Sequence, residues 1–193
     1  GIEVIPAMLE TLRVSHPAIR IELSLSNQRA DLLSQEVDLA VRTVAPDQQA
    51  LLARKVATIP LGMFASHAYV ARRGRPETLE DLANHDMIGP DRDPLDLEFA
   101  RRLGLTFALN RMVLRTDSHP AQIAAARAGV GIAVAQVPLC EADPRLVRIL
   151  PDYAPVQMGT WIVTHENLAR VPRVRAAFDT LVAGFHAMMH KPS

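Results

Sequence analysis

Apolar residues recur along this chain at two spacings, every third or fourth position and every second position, and the switches between them predict successive helices and strands. Ile5, Met8, Leu9 and Leu12 share one helical stripe, which His16-Pro17 interrupts because a residue before proline is pushed out of helical geometry. Ile19, Ile21, Leu23 and Leu25 then alternate with Arg20, Glu22, Ser24 and Ser26, which predicts a strand with one wet face. Ser26 and Asn27 are cap residues ahead of a short helix with Leu32 and Leu33, and Val37 to Val41 reads as the next strand. Leu51 to Ala57 and Ile59 to Ala65 are two more strands, the second nearly continuous in apolar residues like a buried central strand.

Past Ser66 the elements shorten. A small helix runs through Tyr69, Thr78 caps the segment Leu79-Glu80-Asp81-Leu82, and Met87-Ile88 leads into the turn Gly89-Pro90-Asp91. Leu95, Phe99 and Leu103 mark a helix that Gly104 stops. Arg111 to Thr116, Val130 to Val134, Leu146 to Leu150 and Gln157 to Thr164 read as strands, and Val174, Phe178, Leu181, Val182, Phe185 and Met189 draw a long closing helix. Strands alternating with helices predict an α/β fold with a parallel sheet between helices. Ile59 to Ala65 and Gln157 to Thr164 bracket a middle section with its own elements, so two lobes are expected with these strands as the hinge. A ligand is then expected between the lobes, where strand ends meet helix starts.

The stretch from Thr116 to Pro138 carries the main chemical signal. Asp117 or Ser118 caps a helix, Pro120 suits its first turn, and Gly129 closes it before a buried strand. Such a helix start also favours an anion, because its amides and its dipole point at negative charge. Plain capping and carboxylate binding both satisfy these residues.

Composition narrows the function classes. A chain of 193 residues that is 49% hydrophobic is long enough to bury a real core. Twenty-one basic residues balance 21 acidic ones, leaving no net field to attract a nucleic acid or an anionic membrane. The one cysteine, Cys140, excludes an internal disulfide and points to a reducing compartment. No apolar run reaches spanning length and no leader opens the chain, so a cytoplasmic setting is expected.

Catalytic and metal signals are weak. Gly129-Val130-Gly131 follows a helix and precedes a strand, the reverse of a dinucleotide-binding loop. His186 and His190 lie one helical turn apart without a third ligand, so no metal is expected, and nothing in the chain implies a cofactor. Cys140, beside Val137-Pro138-Leu139, reads as a packed thiol. Ser118 and His119 are adjacent on a helix and face apart, while Glu80-Asp81 and Glu141 with Asp143 read as solvated carboxylates. Trp161 reads as packing, and Arg42 either bridges Asp38 or meets a ligand acid.

Pro6-Ala7-Met8-Leu9, His16-Pro17-Ala18-Ile19-Arg20-Ile21-Glu22-Leu23, Asp31-Leu32-Leu33 and Val37-Asp38-Leu39-Ala40-Val41-Arg42 together resemble the effector-binding domain of LysR-type transcriptional regulators. So do Ala65-Ser66-His67-Ala68-Tyr69-Val70, Leu79-Glu80-Asp81-Leu82 with His85, Ala128-Gly129-Val130-Gly131-Ile132-Ala133, Leu146 to Asp152, and Val174-Arg175-Ala176-Ala177-Phe178, in the family's order. The resemblance implies a fold like the type 2 periplasmic binding proteins, two α/β lobes joined by two crossover strands. Residues 1–65 and 161–193 would form one lobe and 66–160 the other.

It implies a small effector, anionic on the reading of the helix start, met by Ser26 and Asn27, by Asp117 and Ser118, and by Ala135, Gln136 and Val137, with Arg42, Ile88 and Gly89 as further contacts. It also implies a homodimer through this domain, a tetramer of the whole protein, and DNA bound only by an amino-terminal winged helix-turn-helix. That module and the domain's first strand are expected before Gly1. A periplasmic solute-binding protein and an enzyme on the same fold are the alternatives.

Overall fold

The computed structural model describes residues 2–25, 37–45, 50–102, 104, 111–153 and 156–189. The chain divides into two compact units, residues 1–58 with 158–193 and residues 59–157.

In the first unit, α1 (Ile5–Ser15) accepts Pro6 in its first turn, where the missing amide has no helical partner to lose. Its stripe buries Ile5, Met8 and Leu12. This helix packs on α6 (Pro172–Met189), whose inward residues are Val174, Leu181, Val182 and Phe185. At their contact Gly184 leaves no room for a side chain, since a Cβ there would stand 2.6 Å from Met8 Cγ. β1 (Leu39–Arg42) pairs antiparallel with β7 (Gln157–His165), Leu39 opposite Thr164 and Arg42 opposite Trp161. Thr164 Oγ1 donates to the Asp38 carbonyl at 2.8 Å. Lys55 Nζ lies 5.7 Å from the centre of the Trp161 ring, a cation–π distance.

The second unit is built on β2 (Leu51–Ser66), which enters it from residue 59. β2 pairs antiparallel with β5 (Ile132–Gln136) on one side and with β6 (Leu146–Ile149) on the other. Beyond β5 come β3 (Met87–Gly89) and β4 (Met112–Arg115), both parallel pairings. Successive β2 side chains feed opposite faces of this sheet, as a period of two requires. Met63 and Ala65 join Tyr69, Leu82 and Met87 on one side. Phe64 joins Ile88, Ala126 and Cys140 on the other.

The helices α2 (His67–Arg73), α3 (Pro94–Arg102), α4 (His119–Arg127) and α5 (Val137–Glu141) connect these strands, with a tight 3-10 turn at Glu80–Asn84. Ser66 Oγ caps α2 by accepting from the Tyr69 amide at 3.1 Å. The Tyr69 hydroxyl accepts from the Asp86 amide at 2.8 Å and meets His85 Nδ1 at 3.2 Å, and burial pushes the His85 imidazole below its ordinary pKa.

Several expectations change. Residues 19–25 form no strand, because alternation makes a segment competent for pairing and supplies no partner. Leu51–Ala57 and Ile59–Ala65 are one strand, which runs through Pro60 without a break. The sheet is mixed, since β2 and β7 run against their neighbours β5, β6 and β1. β5 starts at Ile132 because Gly129, at φ +82, turns the chain, and because Gly131 lies so close to the Asp86 carbonyl that a Cβ would stand 2.4 Å from it. Asp143 is no solvated carboxylate. It is 8% exposed and receives Arg127 Nε at 2.6 Å and Arg145 Nη2 at 2.8 Å. Cys140 is fully buried, as expected of a packed thiol.

Candidate functional site

Parallel pairing sends the carboxyl ends of β3, β4 and β5 to one edge of the second unit's sheet. Ile88 pairs with Leu114 and Ala133, and Gly89 with Arg115. Three sequence-predicted segments therefore converge: Ile88-Gly89 at the end of β3, Asp117-Ser118 after β4, and Ala135-Gln136-Val137 where β5 passes into α5. Gly89 fits tightly there, because a Cβ would stand 2.3 Å from the Met112 methyl. Arg42 ends β1 in the other unit, and Ser26 and Asn27 lie outside the described residues.

The connection from β4 to α4 is held from both sides. The Thr116 amide donates to the Gly89 carbonyl at 2.9 Å. Gln122, a buried polar residue on the inner face of α4, donates its side-chain amide to the Thr116 carbonyl at 2.6 Å. The Ser118 amide is taken by Thr116 Oγ1 at 3.2 Å, yet the exposed Ser118 side chain makes no cap bond. That corrects the expectation that Ser118 caps its own helix: the threonine two residues earlier already turns the chain.

Asp117 also departs from simple capping. Its Oδ1 accepts from the amides of Asp91 at 2.8 Å, Arg92 at 3.0 Å and Asp93 at 3.1 Å, in the loop that follows β3. The amides of Asp93 and Arg92 hold its carboxyl below the usual range, because those bonds exist for the charged form. Asp93 in turn caps α3, accepting from the Leu95 amide at 2.9 Å. Sequence reasoning passed over two partners at this edge, Gln122 and the pair of His119 Nε2 with Asp96 Oδ2 at 2.7 Å. A polar residue among the alanines of α4 is a readable signal for Gln122; nothing along the chain announces Asp96, which is 23 residues away.

Chemically, the edge offers an exposed hydroxyl at the head of a nine-residue helix, with the adjoining Asp117 carboxylate already engaged by amides. Such an edge recognises polar or anionic groups by hydrogen bonding. Among the described residues no cluster of histidine, cysteine and carboxylate side chains is arranged to hold a metal ion.

Comparison with known proteins agrees with this architecture. The LysR substrate binding domain profile matches residues 1–185. An uncharacterized HTH-type transcriptional regulator of Haemophilus influenzae is 29% identical over 178 residues, covering 89% of this chain and 61% of that protein. The chain thus spans about three fifths of this curated relative. The regulatory domain of CrgA, a LysR-type transcriptional regulator from Neisseria meningitidis, has the same fold at a TM-score of 0.80 and 21% identity, over 94% of this chain and 92% of that one. The regulatory domain of CcmR from Synechocystis, solved in complex with 2-PG, superposes at a TM-score of 0.71 and 19% identity, over 98% and 93% of the two chains. With nearly its whole length matched by the one profile, the chain belongs to the LysR substrate binding domain family.

Proposed function

We propose that this chain is the sensory part of a LysR-type transcriptional regulator, which recognises a small anionic metabolite without converting it. The observation that carries the reading is the edge at Ser118, where an exposed hydroxyl unused in capping stands at the helix start that follows β4, the strand paired in parallel with β3. An anionic group gains there from the helix dipole and from hydrogen-bond donors. The 2-PG complex of the CcmR regulatory domain supports it as a precedent for a small ligand on this fold.

Control of transcription would pass to a DNA-binding region of the whole protein, as the helix-turn-helix relatives suggest. The effector would act by favouring one of two states. Its leverage is limited by its difference in affinity for them, commonly about 1 to 3 kcal/mol. A homodimer through this domain, a tetramer of the whole protein and a cytoplasmic setting complete the proposal. No helix among the described residues is long and apolar enough to cross a membrane.

The test is a thermal-shift screen of anionic metabolites. A ligand at a hundred times its Kd adds about 2.7 kcal/mol to the folded state. Ser118→Trp is expected to abolish the shift of any ligand found while leaving the unliganded melt in place, since Ser118 is exposed. A full shift in that variant would remove Ser118 from the site, and measurable turnover of a bound ligand would refute recognition without conversion.

A further inference from the structure

We propose that His119 and Asp96 form a proton-gated clasp holding the head of α4 to the start of α3, and that His119 is thereby a positioning residue for the edge at Ser118. The clasp's bearing on ligand binding rests on the sensory reading above; its existence does not.

His119 is the first residue of α4 and Asp96 lies in the first turn of α3, so their 2.7 Å contact joins two helix starts. The loop Pro90 to Asp93 leads into α3, and the end of β4 and the turn after it grip that loop twice more. Asp117 takes the three amides of Asp91, Arg92 and Asp93, and Arg115 donates to the Asp91 carbonyl at 3.0 Å and stands 3.7 Å from its carboxylate. Of these three attachments only the imidazole changes charge near neutral pH. Arginine stays charged, and the loop amides hold the Asp117 carboxyl below its ordinary pKa, so it is ionised at neutral pH.

The charges around His119 fit this role. A cation at a helix start opposes the helix dipole, so a protonated imidazole is tolerated there only where carboxylates face it. Asp96 and Asp93 do so from α3 and its cap. On the loop and β4, Arg92 and Arg115 are engaged with Asp91, and Asp117 with the loop amides. The bond to Asp96 raises the His119 pKa above its ordinary value, although the imidazole is 55% exposed and solvent screens the pair. The sign follows: the clasp is strongest, as a charged pair, below the ordinary histidine pKa, and it weakens to a neutral hydrogen bond as pH rises through the raised one.

Hydrogen exchange of the Asp91, Arg92 and Asp93 amides, corrected for intrinsic rate, reads the clasp directly in the absence of ligand. Protection is expected to fall by about threefold or more between roughly pH 6 and pH 8.5 in the unaltered protein. It should be low and independent of pH in His119→Ala and in Asp96→Asn. His119→Lys, which stays charged throughout, should restore protection and flatten its pH dependence. Equal protection of these amides in His119→Ala and the unaltered protein would overturn the proposal. So would a uniform loss across the whole second unit, because a clasp acts on its own loop. The Ser118→Trp screen fails or succeeds separately, so the two ideas are distinguishable.

Discussion

Asp143 and Asp117 are carboxylates whose importance depends on what reaches them from elsewhere in the chain. Asp143 is gripped by Arg145, two residues on, and by Arg127 from the last turn of α4. These guanidinium bonds, Arg145 foremost, hold its carboxyl far below the usual range. The Arg145 side chain is 65% exposed, so solvent screens its contribution, whereas Arg127 at 19% is sheltered. Asp143→Asn is expected to destabilise the second unit by about 1 to 2 kcal/mol in a urea melt, because two charged donors lose their acceptor. Arg127→Met should cost more than Arg145→Met. None of this is legible from spacing, since Glu141 and Asp143 look alike along the chain and only packing buries the second.

Helices were more legible than strands, for a physical reason. A helix satisfies its hydrogen bonds within itself, so the stripes of α1 and α6 indicate both the element and its buried face. A strand needs a neighbour, and the alternation from Ile19 to Leu25 says only that pairing would suit it. Glycines were legible where the backbone demanded them, as at Gly129 after α4. At the candidate site, the residues that end strands and begin helices were readable in order. The direction of the Asp117 side chain was not, because its partners lie 24 to 26 residues upstream. The helix pair offers a direct check: Leu12, 1% exposed on α1, should cost about 3 kcal/mol when replaced by alanine, measured by chemical denaturation.

Across the molecule, acid sensitivity follows from carboxylates that work in their charged form. Asp81, bonded by the amides of Thr78 and Glu77, joins Asp117 and Asp143 in having a lowered pKa. A depressed pKa contributes stability that is present above the ordinary carboxylate range and lost as pH falls through the folded-state value. The melting temperature is therefore expected to drop steeply with proton uptake below about pH 4, and Asp143→Asn should make that limb shallower.

The chain's single tryptophan, Trp161, belongs to the first unit, while its only two tyrosines, Tyr69 and Tyr153, belong to the second. Optical probes are therefore partitioned by nature: indole emission follows one body and phenol absorbance the other, with no label attached. Superimposable denaturation curves from the two chromophores would establish that both bodies melt as one cooperative block, and separated curves would supply a midpoint for each.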